Sequence, residues 1–494
     1  MRVLVANRGE IALRILRTCR EMGLTGIAVF SDADRESLPV RYADEAIYIG
    51  KSPSAESYLN IHKILQAAKD TGANAIHPGY GFLSENSMFA RMVEEAGLIF
   101  IGPRSQTIEL TGDKLAARRI ARQAGLPVLP GPDQPIQDEI PSTLRQNITF
   151  PVLIKAVAGG GGKGIRLAND EAELEEMLSS ARQEALKSFG DDTVYLEPLV
   201  QKARHIEVQI IGDGNGNILC LGDRECSIQR RRQKLIEEAP APDLSPALRN
   251  HLYESALQMG KALNYRSLGT VEFLVDDRND FYFIEINPRI QVEHPITEMV
   301  TGLDLVRAQL QLAKGEPLQF SQEDIITRGS AIEARIIAED PDNGFLPVTG
   351  EISYIRESGG PGIRIDSALY PGLVITPEYD SLLAKVAAYA EDRNLAIRRL
   401  RRALKEFEVG GLSTDIDFLI QIIDSEPFLQ GRATTTYVDT FQPIPSINDE
   451  TFEMDLALTV AMIEHNKIHN RNKSEENSDG FSYWKFQAWK EQMR

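Results

Sequence analysis

Two stretches of the sequence, TVEFLVD and FYFIEIN, carry oxygen-bearing side chains at a spacing that suits a metal ion. The letters DRND join them and predict a β-hairpin, with Glu272 on one strand and Glu285 and Asn287 on the other. Since side chains alternate along a strand, Glu285 and Asn287 share one face and Glu272 lies across from them. Two carboxylates and an amide oxygen suit Mg²⁺, which neutralises charge during phosphoryl transfer. The alternative is a solvated strand face with paired charges; we favour the metal site because a glycine-rich loop stands upstream.

The segment RIQVEHP follows directly and is predicted to extend the same alternation. Arg289, Gln291 and Glu293 then continue on the face of Glu285. Arg289 presents a rigid fork of donors that could hold a small oxyanion. Glu293 could act as a base beside that anion. His294 precedes a proline, and a structural role is predicted for it.

Between two predicted strands lies the loop KAVAGGGGKG. Lys155 ends the first strand, and four glycines and Lys163 follow it. Consecutive glycines have no side chains to pack and cost conformational entropy when ordered, so their benefit is mobility and close backbone approach to a ligand. The loop joins two strands, whereas Walker and Rossmann loops open a helix. We predict a mobile lid over nucleotide phosphates, with a disordered surface loop as the alternative.

Further basic residues occur at positions where an anion would stabilise them. Lys114 opens a helix predicted over 113–124, where a cation opposes the helix dipole unless it contacts an anion. Arg335 alternates with Glu333 on an apolar strand, and the local sequence fits a functional arginine and a buried structural Glu–Arg pair equally well. The cluster QRRRQK, residues 229–234, is either a solvated face or an anion site.

The elements that must position these residues fall into successive regions. Strands and helices alternate over the first 112 residues, which predicts a parallel sheet covered on both faces. Because no GxGxxG follows the first strand, dinucleotide binding is not supported. A β-rich region follows a Pro-rich stretch, and residues from about 329 to 440 form a third mixed region. The last fifty residues begin as a polar linker and end in an aromatic amphipathic piece with Trp484 and Trp489.

Composition narrows the classes of function. The chain has 494 residues and a formal net charge of −18, so a nucleic-acid-binding role is not expected. No apolar run reaches the ~20 residues of a membrane helix, and the N-terminus has no secretory signal. The three cysteines show no CxxC spacing, which argues against a disulfide framework or a zinc site and favours a cytoplasmic location.

Nine strings in order resemble the biotin carboxylase family of ATP-grasp enzymes over residues 1 to about 440. They are NRGEIALRI, HPGYGFLSEN, GDK, KAVAGGGGKG, RHIEVQI, EEAPAP, GTVEFL, IEINPRIQVEHPITEM and YDSLLAKV. The resemblance implies an α/β and α+β multidomain fold. Its expected parts are a Rossmann-like N-terminal domain (1–112), an ATP-grasp domain (113–328) with a mobile Gly-rich lid at about 130–203, a mixed α/β C-terminal domain (329–445), and a linker and tail (446–494) that is either a partner-docking segment or packs on its own protein.

The resemblance also implies roles for individual residues. ATP would be bound by Lys114, Lys155, Gly160, Gly161, Gly162, Glu197, Val200, His205, Gln229, Lys234, Glu272 and Glu285. Two Mg²⁺ ions, with Mn²⁺ as an alternative, would be held by Glu272, Glu285 and Asn287. Bicarbonate would be seated by Arg289, Gln291, Val292 and Glu293, and biotin by Tyr80 and Arg335. The catalytic set would be Glu293, Arg335, Arg289 and Lys234.

The chemistry implied by the resemblance is carboxylation of biotin. Glu293 would take the bicarbonate proton, carboxyphosphate would form from ATP and break to CO₂ and phosphate, and Arg335 would stabilise the oxyanion of deprotonated biotin. No lysine lies in an AMKM-like setting, so biotin is expected on a separate carrier protein, with carboxyltransferase subunits as further partners and a homodimer as the assembly. The final acceptor would be acetyl-CoA or another acyl-CoA, with pyruvate as the alternative.

Two residues depart from the family pattern, and two other functions compete with the resemblance. Arg232 stands where many relatives have histidine, and Pro198 replaces a common lysine, which puts details of nucleotide contact in doubt. Another ATP-grasp ligase that joins a carboxylate to an amine is disfavoured by Arg335 and RIQVEHP. A non-enzymatic scaffold is disfavoured because the metal and base positions are intact.

Overall fold

The structure is a computed structural model that describes residues 1–131, 148–157, 164–444 and 458–463, together with Pro135, Ile136, Ile140 and Arg145. Contacts divide the chain into two units, Met1–Pro443 and Ile444–Arg494. In the second unit, residues 458–463 are helical. The predicted glycine lid and the tail tryptophans Trp484 and Trp489 lie outside the described residues.

The N-terminal part is a five-stranded parallel sheet with helices around it, as predicted. Its strands are β1 (Arg2–Val5), β2 (Thr25–Ser31), β3 (Glu45–Gly50), β4 (Ala75–His77) and β5 (Ile99–Phe100), in the order β3-β2-β1-β4-β5. The helices are α1 (Gly9–Glu21), α2 (Leu38–Tyr42), α3 (Ile61–Asp70), α4 (Ser87–Glu95), α5 (Ser105–Gly112) and α6 (Lys114–Gln123). Central strand β1 buries Val3, Leu4 and Val5 completely, because a parallel sheet is covered on both faces. Strand β3 was not predicted; it lies at the sheet edge and leaves Glu45 and Tyr48 exposed.

A small antiparallel sheet follows, with the order β7-β6-β8. Its elements are β6 (Val152–Ala156), β7 (Ile165–Ala168), α7 (Glu171–Phe189) and β8 (Val194–Pro198). Helix α7 begins after Asp170, whose side chain accepts hydrogen bonds from two backbone N–H groups, and ends at Gly190, which has φ 76°. The predicted glycine loop therefore connects two paired strands, although its own residues 158–163 are not described.

An eight-stranded antiparallel sheet forms the centre, in the order β13-β12-β9-β10-β11-β14-β21-β19. The remaining strands of the chain are β9 (Arg204–Asp213), β10 (Ile218–Arg230), β11 (Gln233–Ala239), β12 (Arg266–Val275), β13 (Phe281–Asn287), β14 (Ser330–Ile337), β15 (Glu339–Asp340), β16 (Leu346–Pro347), β17 (Gly350–Glu351), β18 (Tyr354–Arg356), β19 (Ile363–Ser367), β20 (Val374–Ile375), β21 (Leu382–Ala390) and β22 (Glu408–Gly410). Strands β15 and β16, β17 and β20, and β18 and β22 form three separate pairs.

Helices cover this sheet and build its apolar cores. They are α8 (Pro246–Ala262), α9 (His294–Thr301), α10 (Leu305–Ala313), α11 (Arg393–Glu406), α12 (Ile416–Ile423), α13 (Glu426–Leu429) and α14 (Tyr437–Thr440). Leu252 and Met259 of α8 lie in one core with Val208 and Val271, so one face of β9 and β12 is apolar. Among the described residues no helix is long and apolar enough to cross a membrane.

The predicted hairpin is confirmed, but the extended segment predicted after it is wrong. Strands β12 and β13 pair with Glu272 opposite Glu285 and Thr270 opposite Asn287. Strand β13 ends at Asn287, before Pro288, and the chain then turns into α9 at His294. Two prolines explain the change, because Pro288 has no N–H for a ladder and Pro295 fits the first turn of a helix. Arg289, Gln291 and Glu293 are therefore placed by a turn.

Candidate active site

One face of the central sheet carries buried polar side chains. On β9, His205, Glu207 and Gln209 occupy this face, and all three are buried. The alternate residues of β9 lie in the apolar core with α8. Glu207 and Gln209 are satisfied by a neighbouring strand: Arg224 of β10 contacts Glu207 Oε1 through Nε at 2.5 Å and donates to Gln209 Oε1 at 2.8 Å. Charge is buried here because it is paired.

Lys234 lies at the centre of three carboxylates. Its Nζ is 2.5 Å from Glu207 Oε2, 3.0 Å from Glu272 Oε1 and 2.7 Å from Glu293 Oε1. Burial lowers the pKa of Lys234, but the three carboxylates more than reverse this and hold it well above its usual value. Lys234 is therefore a fixed cation that connects the residues predicted for nucleotide, metal and base.

The basic cluster QRRRQK divides into a turn and a buried part. Arg231 and Arg232 form the tip of the β10–β11 hairpin, with φ values of 48° and 66°. Gln229 and Lys234 face each other just behind the tip, and Gln229 is buried. Arg231 and Arg232 at the tip thus fit the prediction of a solvated face. Lys234 is the residue of this cluster that could belong to an anion site.

Glu293 is held between two cations. Its Oε1 binds Lys234, and its Oε2 is 3.0 Å from Arg335 Nη2. Burial raises the pKa of Glu293, but Lys234, Arg335 and Arg224 lower it well below its ordinary value, so the group is ionised at neutral pH. Arg335 does not pair with its strand neighbour Glu333. Its second carboxylate is Glu237 of β11, whose Oε1 accepts from Nε at 2.6 Å.

Arg289 is oriented from two sides. Its Nε is 2.5 Å from Glu85 Oε1 of the N-terminal region, and its Nη1 donates to Gln291 Oε1 at 2.8 Å. Nη2 is 3.2 Å from Asn287 Oδ1. These contacts fix the guanidinium plane about one turn from Glu293, and they place the predicted anion-binding and base residues on the same short segment.

The three residues predicted to bind metal are grouped as the hairpin register requires. Asn287 Nδ2 donates to Glu272 Oε1 at 2.8 Å, and His205 Nε2 is 2.9 Å from Glu272 Oε2. Burial and the neighbouring charge of Glu272 both raise the pKa of Glu285, while Lys114 lowers it. A buried carboxylate, Glu272, and a half-buried one, Glu285, repel each other beside an amide oxygen, and this set fits a hard divalent cation that would neutralise them.

Other groupings of possible ligands exist at this face but fit a metal less well. His205, Glu207 and Glu272 offer atoms within 4.8 Å of one another, as do Glu207, Cys226 and Glu293. Both groups contain Glu207, which is already paired with two cations, Arg224 and Lys234. A dication beside Glu207 would meet both of them, so we assign no metal to either group.

The lysines predicted for nucleotide lie at the edge of the same region. Lys114 is the first residue of α6, whose N-cap Asp113 accepts hydrogen bonds from Leu115 and Ala116 N–H. Burial lowers the pKa of Lys114, and Glu285 partly offsets this. Lys155, at the end of β6, forms a buried ion pair with Glu197 of β8.

Glu197 is shared by two cations, because Arg118 of α6 also forms a buried ion pair with it. Val200 follows β8 in an irregular, half-buried segment. Pro198, one of the two departures from the family pattern, is the last residue of β8 and is half-buried opposite Val152. The structure describes these residues, whereas Gly160, Gly161 and Gly162 fall outside the described part of the chain.

Tyr80 is positioned by a loop that follows β4. Asn7 Nδ2 donates to Pro78 O and Tyr80 O, both at 2.7 Å, and a Cβ at Gly79 would come within 2.9 Å of Asn7 Nδ2. Gly79 also has φ 63°, so a side chain there would be strained. The Tyr80 hydroxyl donates to Glu10. Val292, the remaining predicted residue, offers its carbonyl to Lys385 Nζ at 2.9 Å.

Several residues that organise the site were missed from the sequence. They are Glu10, Glu85, Glu207, Arg224, Glu237 and Lys385. Glu207 has a signal, since it alternates with His205 in RHIEVQI and so shares its face. Arg224 and Lys385 have none, because their partners come from strands that are distant in sequence.

Three family models match the chain. They are "Biotin carboxylase, N-terminal domain" at residues 1–108, "Carbamoyl-phosphate synthase L chain, ATP binding domain" at 113–321, and "Biotin carboxylase C-terminal domain" at 333–440. Biotin carboxylase 1 of Bacillus subtilis is 47% identical over 447 residues, which cover 90% of this chain and 99% of that protein. A pyruvate carboxylase subunit of Methanothermobacter thermautotrophicus is 48% identical over 442 residues, or 89% of this chain and 90% of that protein.

Solved structures agree with the sequence matches. The biotin carboxylase domain dimer of the Hydrogenobacter thermophilus 2-oxoglutarate carboxylase, in complex with MgADP, ADP and bicarbonate, superposes with a TM-score of 0.86 at 45% identity. The match covers 89% of this chain and 97% of that chain. Fold and site together define an ATP-dependent ligase of the ATP-grasp class, as predicted. More particularly, the chain belongs to the biotin carboxylase family. ATP, Mg²⁺ and biotin, predicted as its cofactors and substrate, are those of this family.

Proposed function

We propose that this chain carboxylates biotin on a separate carrier protein, with Glu293 as the base and Arg335 at the biotin. The observation that carries the proposal is the position of Glu293, fully buried and bound by Lys234 on one oxygen and Arg335 on the other. An ionised carboxylate with Arg289 on the same segment can accept the proton of a bicarbonate seated by that arginine. Glu293 would thus lie beside both the bicarbonate at Arg289 and the biotin at Arg335.

We infer the order of events from the resemblance to the biotin carboxylase family, and these neighbours support it. Glu293 takes the bicarbonate proton, and the anion attacks the γ-phosphorus of ATP held by Lys114 and Lys155, which gives carboxyphosphate and ADP. Carboxyphosphate breaks to CO₂ and phosphate, and the phosphate removes the proton of the biotin ureido nitrogen. Arg335 stabilises the resulting oxyanion, and the nitrogen attacks CO₂. Held by Glu272, Glu285 and Asn287, Mg²⁺ would neutralise charge on the phosphate oxygens.

The test of this function is ATP cleavage by the purified chain. We expect cleavage that requires bicarbonate and rises with free biotin. Arg335→Ala should lower the biotin-dependent rate by about a hundred- to a thousandfold, as removal of one oxyanion donor does elsewhere, and should spare nucleotide binding. Rates and nucleotide affinity are measured on both proteins. ATP turnover indifferent to bicarbonate and biotin would eliminate the proposal, and equal loss of both properties would make Arg335 structural.

The metal assignment is tested by Glu285→Gln. The variant keeps the size of the side chain but removes one negative charge, so the Mg²⁺ concentration for half-maximal turnover should rise by about tenfold. Glu254→Gln on α8, which lies outside the site, is the matched control. An unchanged metal dependence in the Glu285 variant would remove this residue from the metal site.

For the final acceptor we propose acetyl-CoA or another acyl-CoA, delivered through a biotin carrier and carboxyltransferase subunits, with a homodimer as the working form. The Bacillus subtilis biotin carboxylase matches this chain over 99% of its own length, so it has no room for a carrier or transferase domain, and this supports separate carrier and transferase subunits. Pyruvate is a second candidate, because the pyruvate carboxylase relative is equally similar. Purification of the native complex, followed by assays with acetyl-CoA, propionyl-CoA and pyruvate, decides between them.

The free, buried state of Cys19, Cys220 and Cys226 supports a cytoplasmic location.

A further inference from the structure

We propose that Glu237 is a positioning residue for Arg335, which sets the direction in which that guanidinium meets biotin. The inference rests on the proposed function of Arg335. Arg335 lies on β14 and Glu237 on the neighbouring strand β11. Glu237 Oε1 is 2.6 Å from Arg335 Nε and 2.5 Å from Nη2, so one oxygen holds two donors of the same fork.

The two carboxylates around Arg335 leave one side of the guanidinium free. Nε and Nη2 are used by Glu237, and Nη2 also donates to Glu293 at 3.0 Å. Among the described residues, none accepts a hydrogen bond from Arg335 Nη1. The planar fork therefore has a fixed orientation, with its remaining donors directed away from both carboxylates. Without Glu237, only the contact with Glu293 would fix the group.

The carboxylate that contacts Arg335 is Glu237 and not the neighbouring Glu333. Glu333 lies opposite Glu237 in the ladder, is fully buried, and neither of its oxygens accepts a hydrogen bond from the described residues. Burial raises the pKa of both carboxylates, that of Glu237 to about 7 and that of Glu333 well above its ordinary value, but only Glu237 accepts a hydrogen bond from Arg335. Glu333 lies beside the ion pair but does not orient the arginine.

The strand itself supplies a matched control. Glu238 follows Glu237, is also buried, and forms its own ion pair with Arg393, with distances of 2.6 and 2.9 Å. Because side chains alternate, Glu238 faces away from the site. Glu237→Gln and Glu238→Gln thus remove the same charge from the same strand, and only the first removes it from Arg335.

The experiment compares two activities in each protein: bicarbonate-dependent ATP cleavage without biotin, and the biotin-dependent rate. For Glu237→Gln we expect the biotin-dependent kcat to fall about ten- to a hundredfold and the KM for biotin to rise, since a small misplacement of a catalytic group has effects of this size. ATP cleavage without biotin should stay within about threefold of wild type. Glu238→Gln should leave both rates near wild type.

Glu237→Asp provides a second variant if the first does not fold. It keeps the charge but is one methylene too short to reach Nε from the same backbone, so we expect the same split between the two activities. Equal loss of both activities, or unfolding of both variants, would overturn the inference and make Glu237 a structural residue. No loss in either activity would overturn it by showing that Arg335 is oriented without Glu237. A wild-type protein without biotin-dependent turnover would instead overturn the proposed function of the site.

Discussion

Strands β1 and β9 are buried to the same degree, yet their side chains differ. In β1, Val3, Leu4 and Val5 are apolar on both faces of the parallel sheet. In β9 one face is apolar, whereas the other carries Glu207 and Gln209, which are just as inaccessible to water. Apolar burial stabilises a fold without further conditions, but buried charge is tolerated only when each group has a partner. The comparison shows that the chain accepts this cost on one face, where we propose that its chemistry takes place.

The largest expected change in the free energy of unfolding comes from removing a buried cation on the polar face of β9. Arg224→Met leaves Glu207 without its nearest guanidinium, and we expect the free energy of unfolding to fall by about 3–5 kcal/mol. Denaturant titration of the variant measures this fall. Adding Glu207→Gln should restore part of the loss, because the double variant no longer buries a carboxylate that has lost one of its two cations, Arg224 and Lys234. If the double variant lost as much free energy of unfolding as the two single variants added together, the two side chains would not stabilise each other, and paired burial on this face would be contradicted.

A smaller effect is expected in the apolar strand. Leu4→Ala opens a cavity between the β1 strand and its covering helices and should reduce the free energy of unfolding by about 3 kcal/mol. No partner substitution in a neighbouring charge should recover this loss. The activity per folded molecule should stay at the wild-type value. If Leu4→Ala instead changed the KM for bicarbonate, the two regions would be coupled more closely than their contacts indicate.

The smallest expected effect concerns a polar residue inside the apolar region. Burial lowers the pKa of His77 on β4 to about 3, so the folded protein keeps it neutral while the unfolded chain protonates near pH 6.5. The folded state loses stability as pH falls below that value, by about 2 kcal/mol between pH 7 and pH 5. His77→Gln should be less sensitive to this change in pH. The stability of both proteins is measured by denaturant titration at each pH. Equal pH dependence in the two would show that His77 does not gain a proton when the chain unfolds.

The sequence predicts the apolar region more completely than the site. Residues 3–6, VLVA, are a continuous apolar run, and this pattern is enough to predict a buried parallel strand, which the structure confirms. The hairpin register of Glu272 and Glu285 also follows from alternation and a turn. Alternation in RHIEVQII, by contrast, would place Glu207 in water. What buries it, including Thr297 on α9 and Arg224 on β10, comes from distant segments that no local pattern reveals.

The same limit explains the error after Asn287. Alternating polar residues in RIQVEHP predict an extended strand, but Pro288 and Pro295 override the pattern and give a turn and a helix. Arg289, Gln291 and Glu293 still come together, because a turn and a strand can both bring them to one place. Glu85 and Glu237 could not be assigned from the sequence, since their importance lies in which arginine each one meets.

The central sheet continues without interruption from β13 to β19, and this has a consequence for how the protein can vary. Lys234 and Arg335 stand on two adjacent strands of one ladder, where neighbouring positions face opposite sides. A substitution at Lys234 or Arg335 therefore changes one side chain of the site and leaves the facing direction of its neighbours as it was. An insertion or deletion of a single residue within such a strand would turn the following side chains over up to the next register shift. Tolerated length changes should therefore be confined to the connections between strands and to existing register shifts, such as the one between Ile228 and Gln229.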